Sequence, residues 1–214
     1  MHAVIFDFDG TLLHSEAAWD KYLWPLCERT FPGITDDDFR HLTGGNTVQG
    51  YTYLSKHYDS FVSLEDYTKE IEAFIPALYK DAPLNEGVKE LLVKIQRRGI
   101  PMGIATSSRR QWIEPSLHSH EIFNFFQTIV TLDDVQDPKP SPEPYLKAAA
   151  NLSIAPTSCI AIEDSAHGVQ SARAAGLYCI GYAYRGNTQN LQAANKLITQ
   201  MSDIQISLIE EALS

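Results

Sequence analysis

Two aspartates stand just past a short apolar run near the start of the chain. Val4-Ile5-Phe6 suits a buried strand, and Asp7 and Asp9 follow it. Burying a lone ionised carboxylate is costly unless a cation, a metal or several hydrogen-bond donors compensate it. In extended backbone the two side chains would leave the same face, although a turn at Gly10 could redirect the second. Neighbouring carboxylates differ in how readily they take up a proton, which suits a nucleophile beside an acid–base partner.

Two more acids, Glu163 and Asp164, follow a later apolar run. With Asp7 and Asp9 they form an oxygen-only donor set that leaves room for water and a substrate oxyanion. Such a set favours Mg²⁺ over zinc, because Cys and His ligands are lacking nearby. The four acids therefore predict a Mg²⁺ site.

A lysine in a proline-rich segment could balance these charges. Lys139 lies between Pro138 and Pro140, and the alternating prolines predict extended backbone ahead of a helix capped by Ser141. A cation on such a rigid segment could offset several carboxylates and hold a phosphoryl oxygen at a fixed distance. Thr106-Ser107, after another apolar run, could add the hydroxyl and amide donors of a phosphate cradle.

The elements that must position these residues alternate along the chain. Runs rich in Ile, Val and Ala predict strands at 3–8, 101–106, 128–132, 159–162 and 178–182. Helical spacing predicts helices at 86–98, 110–118, 142–151 and 166–175. This alternation predicts a parallel sheet with helices on both faces, and ligands of such sheets bind beyond the carboxyl ends of the strands. The polar residues above fall at those ends.

About seventy residues interrupt this alternation after the first strand. Residues 15–81 have helical patterning and contain no convincing strand, so we predict an inserted helical domain there and a core built from residues 1–14 and 82–214. Three helix faces with apolar and aromatic stripes should form its core, at 19–26, 51–58 and 67–78. The carboxyl end from Leu191 is expected to be helix-rich surface structure.

Composition narrows the class of protein. With 214 residues and 44% hydrophobic content the chain can bury a sizeable core, and its formal charge of -10 opposes attraction to nucleic acid or anionic membrane. No apolar run approaches the roughly 20 residues needed to span a bilayer, and the start reaches Asp7 too soon for a secretory signal. Cys27, Cys159 and Cys179 are far apart and in apolar settings, which predicts buried free thiols. We therefore expect a cytoplasmic protein.

Four ordered motifs resemble those of the haloacid dehalogenase-like hydrolases. They are Asp7-Phe8-Asp9-Gly10-Thr11, Thr106-Ser107-Ser108, Lys139 and Glu163-Asp164-Ser165, and the resemblance covers nearly the whole chain. The insertion after the first motif resembles the helical cap of that superfamily's β-phosphoglucomutase-like branch. The predicted architecture is then an α/β protein with a Rossmann-like parallel sheet core and an inserted α-helical cap domain, with hinges near His14 and Ala82. Closure of the cap would exclude bulk water during phosphoryl transfer.

The resemblance implies roles for four side chains. Asp7 would attack phosphorus to give an aspartyl-phosphate, while Asp9 would protonate the leaving oxygen and later activate water. Thr106 and Lys139 would steady the transferring oxygens. The dehalogenases of the superfamily lack an acid two residues after the nucleophile, so Asp9 favours attack on phosphorus over attack on carbon.

Two further groups complete the expected site. Mg²⁺ would be held by the Asp7 carboxylate, the Asp9 backbone carbonyl, Glu163 and Asp164. The residues expected to contact substrate or its phosphate are Gly10, Ser107 and Arg109. The implied activity is Mg²⁺-dependent hydrolysis of small phosphomonoesters, a sugar phosphate being one candidate, by a monomer.

Other activities stay open. The mutases of this branch carry a histidine near the position of Trp19 and a basic pair in the following cap segment, and no basic residue is evident at 42–48. This favours hydrolysis over mutase chemistry. A phosphonate hydrolase would need a desolvated cap lysine, for which Lys21 and Lys56 are the candidates. A catalytically idle relative that binds a phosphometabolite is disfavoured, because all the motif residues are present.

Several residues near the motifs have two interpretations each. Arg109 could touch substrate or be an exposed residue at the start of the next helix. His14 could be a solvated linker residue or a proton carrier. Ser15-Glu16 could face the leaving group or cap the first helix of the insertion. Asp133-Asp134 are expected in a surface turn outside the metal site.

Overall fold

The computed structural model describes residues 2–40, 42, 47–184 and 186–211. The strands are β1 (Ala3–Phe6), β2 (Met102–Ala105), β3 (Thr128–Val130), β4 (Cys159–Glu163), β5 (Tyr178–Tyr182) and β6 (Lys196–Ile198). The helices are α1 (Glu16–Thr30), α2 (Asp36–Arg40), α3 (Thr47–Leu54), α4 (Leu64–Asp81), α5 (Val88–Arg97), α6 (Arg110–Ser119), α7 (Glu143–Asn151), α8 (Ala166–Ala174) and α9 (Ile206–Glu211).

The strands pair side by side in one parallel sheet. Their order is β3-β2-β1-β4-β5-β6, so the chain first builds outward from β1 through β2 to β3 and then crosses back to β4. The order reverses between β1 and β4, and open parallel sheets bind their ligands beyond the carboxyl ends of the strands at such a point. The predicted α/β fold with a Rossmann-like parallel sheet is confirmed.

The central strands are apolar along their whole length because both faces of the sheet are covered. All four residues of β1 are fully buried, which explains why the sequence there shows a continuous apolar run without alternation. One core cluster includes Ile5 of β1 with Tyr145 of α7 and Val169 of α8. From β1, the ring of Phe6 also packs edge-on against Phe126, with centroids 6.1 Å apart. These contacts hold the end of β1 rigidly.

The edge strand β6 was missing from the prediction. It pairs with β5 through residues Lys196, Leu197 and Ile198, of which only Ile198 is buried. A three-residue edge strand with two exposed side chains produces no apolar run, so hydrophobic patterning could not reveal it. The expectation of helix-rich structure from Leu191 onward was therefore incomplete, although α9 does form.

The segment that carries Lys139 is a turn and not the extended stretch that the prolines predicted. The Ser141 N–H donates to Pro138 O at 3.0 Å, and the Lys139–Pro140 peptide bond is cis. Pro140 thereby occupies a position of a tight turn that proline takes in the cis form. Helix α7 then begins at Glu143, whose N–H donates to Ser141 Oγ at 3.3 Å.

The chain divides into two compact units. One comprises Met1–His14 and Pro83–Ser214 and contains the sheet; the other is Ser15–Ala82. In the second unit, α4 buries one apolar stripe, whose members are Tyr67, Ile71, Ile75 and Leu78. The Tyr67 hydroxyl lies 3.2 Å from Cys27 Sγ of α1, and α1 packs along α4. The helical unit thus has a core of its own.

All three cysteines are free and buried, as the sequence predicted. Burial raises the pKa of Cys27 and of Cys159 to about 11, so both stay as neutral thiols. Across the described residues, no helix is both long and apolar enough to cross a bilayer.

Candidate active site

Adjacent strands bring the first and last motifs together. Asp7 follows β1 directly, and Glu163 ends β4 with Asp164 next in the chain. Because Phe6 pairs with Ile162 in parallel register, the two acidic ends reach the same height on the sheet. The Asp7 N–H also donates to Ile162 O at 3.0 Å. The site therefore lies at the point where the strand order reverses.

Three buried carboxylates meet there. Asp7, Glu163 and Asp164 each offer an oxygen, and these oxygens lie within 4.8 Å of one another. Glu163 is fully enclosed, whereas Asp7 and Asp164 are 7% and 8% exposed. Three acids at this spacing repel one another strongly unless positive charge is placed among them.

Lys139 supplies one positive charge inside the cluster. Its Nζ lies 2.6 Å from Asp7 Oδ1 and 2.5 Å from Glu163 Oε1, and its side chain is only 4% exposed. Burial acts to lower the pKa of Lys139, but the attraction of Asp7 and Glu163 outweighs it and raises the pKa above its ordinary value. The ammonium group is therefore permanently charged and fixed between two carboxylates.

One ammonium does not neutralise three carboxylates. Burial raises the pKa of Asp7 to about 8, with Lys139 opposing and Glu163 adding to the shift. Burial likewise raises the pKa of Asp164 well above its ordinary value, and Asp7 adds to it by repulsion. When all three acids are ionised, the excess negative charge of the cluster is that of two carboxylates, which one divalent cation would balance. An all-oxygen donor set with this charge fits Mg²⁺.

Glu163 is held by donors on both of its oxygens. Its Oε1 accepts from the Tyr145 hydroxyl at 2.7 Å in addition to Lys139, and its Oε2 accepts from Ser165 Oγ at 3.1 Å and from Ser165 N at 3.4 Å. Helix α8 passes so close that a Cβ added to Gly168 would lie 1.9 Å from Glu163 Oε1. Tyr145 was not predicted as a site residue, because it lies inside the apolar pattern of α7.

The first motif turns sharply at Gly10 and packs on Asp164. Gly10 has φ of +77°, and a Cβ added there would lie 2.0 Å from Asp164 Oδ2. The next residue, Thr11, donates its hydroxyl to Asp164 Oδ1 at 3.1 Å and is fully buried. Only glycine combines this backbone conformation with so close an approach. Thr11 belongs to the quoted motif, yet no role was predicted for it.

The second motif contacts Asp9. Ser108 Oγ donates to Asp9 Oδ2 at 2.7 Å, and the Ser108 N–H donates to Thr106 Oγ1 at 3.1 Å. Thr106 is itself buried and is fixed by a hydrogen bond from its N–H to Val130 O at 3.0 Å. The hydroxyl of Ser108 thus orients the Asp9 carboxylate, a contact that the motif alone did not reveal.

Two predicted phosphate contacts lie at the surface. Ser107 is exposed. Arg109 forms an ion pair with Asp133, with Nη1 to Oδ1 at 3.1 Å, and its guanidinium lies 5.7 Å from the centre of the Trp112 ring. Both partners of that pair are about two-fifths exposed. Asp133 and its neighbour Asp134 lie in a short 3₁₀ turn that binds the start of α6, in keeping with the predicted surface turn.

The remaining candidates pack on other residues, are exposed, stand at the start of a helix, or lie outside the described residues. The His14 ring packs edge-on against Tyr184, with centroids 5.9 Å apart. Lys21 pairs with Asp81 at 2.5 Å and is 64% exposed, and Lys56 is also exposed, so neither fits a desolvated lysine. Ser15 stands at the start of α1 but makes no side-chain capping bond. Residues 43–46 of the cap segment and the Glu16 side chain lie outside the described part of the chain.

The chain is similar to known proteins over most of its length. The family model described as haloacid dehalogenase-like hydrolase matches residues 4–182, which include all four motifs. The chain is 30% identical over 207 residues to validoxylamine A 7'-phosphate phosphatase of Streptomyces hygroscopicus subsp. limoneus, covering 94% of each protein. It is 26% identical to the phosphorylated carbohydrates phosphatase of Thermotoga maritima, covering 100% of both.

A solved structure is similar over the full length. The crystal structure of a haloacid dehalogenase-like hydrolase of family IA, variant 3, from Entamoeba histolytica superposes with a TM-score of 0.83 at 26% identity. The match covers 100% of this chain and 99% of that one.

Proposed function

This chain belongs to the haloacid dehalogenase-like hydrolases, and we propose that it is a Mg²⁺-dependent phosphatase that hydrolyses small phosphomonoesters through an aspartyl-phosphate at Asp7. The observation that carries the proposal is the position of the Lys139 ammonium, 2.6 Å from Asp7 Oδ1 within a cluster of three buried carboxylates. Such a cluster has too much negative charge to bind a phosphate dianion unless a second cation joins it. A divalent cation would both balance the acids and attract the phosphate.

Four residues are proposed to act on the substrate directly. The Asp7 carboxylate attacks phosphorus, forming a P–O bond as the bond to the leaving oxygen breaks. Asp9 gives its proton to that oxygen. Lys139 and Thr106 hold the oxygens of the transferring group, where fixed positive charge and hydrogen-bond donors lower the barrier.

The second half of the reaction restores Asp7. Asp9, now ionised, takes a proton from a water molecule that attacks the aspartyl-phosphate at phosphorus. The P–O bond to Asp7 then breaks, releasing inorganic phosphate and the free carboxylate. Ser108 supports both halves, because its hydroxyl fixes the orientation of the Asp9 carboxylate through a hydrogen bond of 2.7 Å to Oδ2.

We propose that the Mg²⁺ ion is held by carboxylate oxygens of Asp7 and Asp164, with the Asp9 backbone carbonyl and Glu163 as further candidates. The ion would neutralise charge on the phosphoryl oxygens. Glu163 is the weakest candidate of the four, because donors already occupy both of its oxygens. Its proposed main task is to hold Lys139.

The substrate class is proposed from two independent lines. The proposed chemistry at Asp7 suits a phosphomonoester, and the relatives named above are phosphatases of validoxylamine A 7'-phosphate and of phosphorylated carbohydrates. We propose a phosphorylated sugar or sugar-like metabolite. The residues that choose among such compounds are proposed to lie in the helical unit, Ser15–Ala82.

Phosphate release from a generic aryl phosphate tests the proposal. The wild-type protein should release phosphate with Mg²⁺ and stop when a chelator is added, and Asp7→Asn should be inactive while keeping the circular dichroism of the wild type. Inactivity of the wild type in the presence of Mg²⁺ would contradict the proposal, as would undiminished turnover by Asp7→Asn.

A panel of phosphorylated metabolites, scored for free phosphate, then identifies the substrate. A phosphatase releases phosphate in proportion to substrate consumed. A mutase would instead convert a sugar phosphate to its isomer without net phosphate release and would depend on a bisphosphate activator.

A further inference from the structure

Asn85 binds the loop that follows the first strand at three successive carbonyls. Its side-chain Nδ2 donates to Gly10 O at 2.7 Å and to Thr11 O at 2.9 Å, which uses both N–H groups of the amide. Its backbone N–H donates to Leu12 O at 2.9 Å. The residue is 7% exposed, so these bonds are shielded from water. Asn85 therefore fixes the turn that carries the first motif.

The fixed turn is the one that packs on Asp164. Gly10 approaches the Asp164 carboxylate so closely that a Cβ there would lie 2.0 Å from Oδ2, and the Thr11 hydroxyl donates to Oδ1 at 3.1 Å. A shift of this turn by a few tenths of an ångström would lengthen or break the second contact. Asn85 therefore acts on the Asp164 carboxylate indirectly, through Gly10 and Thr11, which lie between the two residues.

The side chain of a second asparagine binds the backbone carbonyl of Asp164. Asn187 Nδ2 donates to Asp164 O at 2.8 Å and to Tyr182 O at 3.0 Å. Asn187 is itself held, because its Oδ1 accepts from Gln189 N at 2.8 Å. Through Tyr182, the last residue of β5, the loop after β4 is tied to the neighbouring strand.

Both amides therefore act on the same acid by different routes. We propose that Asn85 and Asn187 are positioning residues that hold Asp164 in the orientation needed to bind the metal ion. This inference rests on the proposed function, because it assumes that Asp164 is a metal ligand. Groups that orient a ligand without touching the metal typically contribute 10- to 100-fold to metal affinity or activity, and we expect about 10-fold here for each asparagine.

The experiment measures Mg²⁺ affinity of the full-length protein by calorimetric titration, without substrate. The variants are Asn187→Ala and Asn85→Ala, with Asn85→Ser as a milder change should the alanine variant fail to fold. The matched control is Asn151→Ala, which removes an amide that donates to Thr128 Oγ1 at 3.0 Å in the same unit. The dissociation constant for Mg²⁺ should rise about 10-fold for the Asn85 and Asn187 variants and stay unchanged for Asn151→Ala.

A second readout separates positioning from general loosening of the fold. At saturating Mg²⁺, kcat of the Asn187 variant should recover toward the wild-type value, and its metal-free unfolding midpoint should match that of Asn151→Ala. The inference is overturned if the Asn85 and Asn187 variants bind Mg²⁺ within about twofold of the wild type. If the wild type itself binds no Mg²⁺, the proposed function fails together with the inference.

Discussion

Lys139 Nζ lies 2.6 Å from Asp7 Oδ1 although the two residues are 132 positions apart in the chain. The contact joins a turn before α7 to the end of β1. It places a permanent positive charge beside the carboxylate that we assign as the nucleophile. The same ammonium contacts Glu163, which is itself fixed by Tyr145 and Ser165. The position of the Lys139 ammonium therefore depends on residues in or directly after three core elements, β1, β4 and α7.

Replacing Lys139 by methionine should reduce kcat for an aryl phosphate by about 100-fold or more, the usual cost of removing one preorganised charge from such a site. The methionine fills similar space but leaves Asp7 and Glu163 facing each other without a cation. Lys147→Met is the matched control, because Lys147 is an exposed lysine of α7. A Lys139→Met protein that keeps its fold and most of its turnover would show that the ammonium has no part in the reaction.

Tyr145→Phe removes a single hydroxyl from the Glu163 cluster and keeps the ring, whose centre lies 5.1 Å from Lys139 Nζ. Burial holds the pKa of Tyr145 well above its ordinary value, so the hydroxyl remains a donor to Glu163. Loss of a hydrogen bond to a charged group costs about 1.5–3 kcal/mol, and we expect kcat to fall about 10-fold with KM little changed. Tyr51→Phe, which loses a hydroxyl bond to Val62 O at 2.7 Å in the helical unit, should leave kcat unchanged. Equal effects of the two changes on kcat would refute a specific role for Tyr145.

Gly168→Ala should displace the Glu163 carboxylate, because Gly168 lies where α8 packs against it. The added Cβ would lie 1.9 Å from Glu163 Oε1, so the carboxylate must leave its partners or α8 must shift. We expect a loss of about 1–3 kcal/mol in unfolding free energy, as for other overpacked interiors, together with reduced kcat.

Gly50→Ala in helix α3 is the control for this change. There the nearest atom is the end of the Leu42 side chain at 3.1 Å, which can move, and alanine is the better helix former. Urea unfolding of both variants measures the difference. A Gly168→Ala protein as stable and active as the wild type would mean that α8 does not confine Glu163.

The metal-free protein should lose stability as the pH rises. Burial raises the pKa of Asp7 from 3.8 to about 8, so between these values the folded state keeps a proton that the unfolded chain has released. Asp7 therefore contributes stability fully below about pH 4 and loses that contribution as the pH rises through about 8. Beyond burial, the Lys139 ammonium opposes this rise in the Asp7 pKa, whereas repulsion from Glu163 and Asp9 adds to it.

Thermal unfolding in chelator from about pH 5 to about pH 9 measures the effect. The midpoint should fall toward high pH in the wild type and fall less in Asp7→Asn, which has no carboxyl group to titrate there. Added Mg²⁺ should restore the wild-type midpoint most strongly at the alkaline end. Parallel pH profiles for the two metal-free proteins would contradict the raised pKa.

Much of the fold and the centre of the site could be predicted from the sequence because each signal is local. The apolar runs at 3–8 and 159–162 predicted buried strands, and the acids at their carboxyl ends were placed at one rim by the geometry of a parallel sheet. The resemblance to a known family assigned roles to Asp7 and Lys139 that spacing alone could not.

The residues that support the site could not be predicted in the same way. Asn85 and Asn187 contact the acid loops across 74 and 23 positions of chain, and neither stands in a motif. The turn at Lys139 was wrongly predicted as extended, because local proline preferences do not report the hydrogen bond from Ser141 N–H to Pro138 O that closes it. β6 was missed, because two of its three side chains are exposed.

The most direct test of the central claim is to trap the phosphorylated protein. Acid-quenching during turnover of a reactive phosphomonoester, followed by peptide mass spectrometry, should reveal one phosphoryl group on Asp7 of the wild type and none on Asp7→Asn. Steady turnover by the wild type with no phosphate ever found on Asp7, or with the group on another residue, would contradict the assignment of this aspartate as the nucleophile.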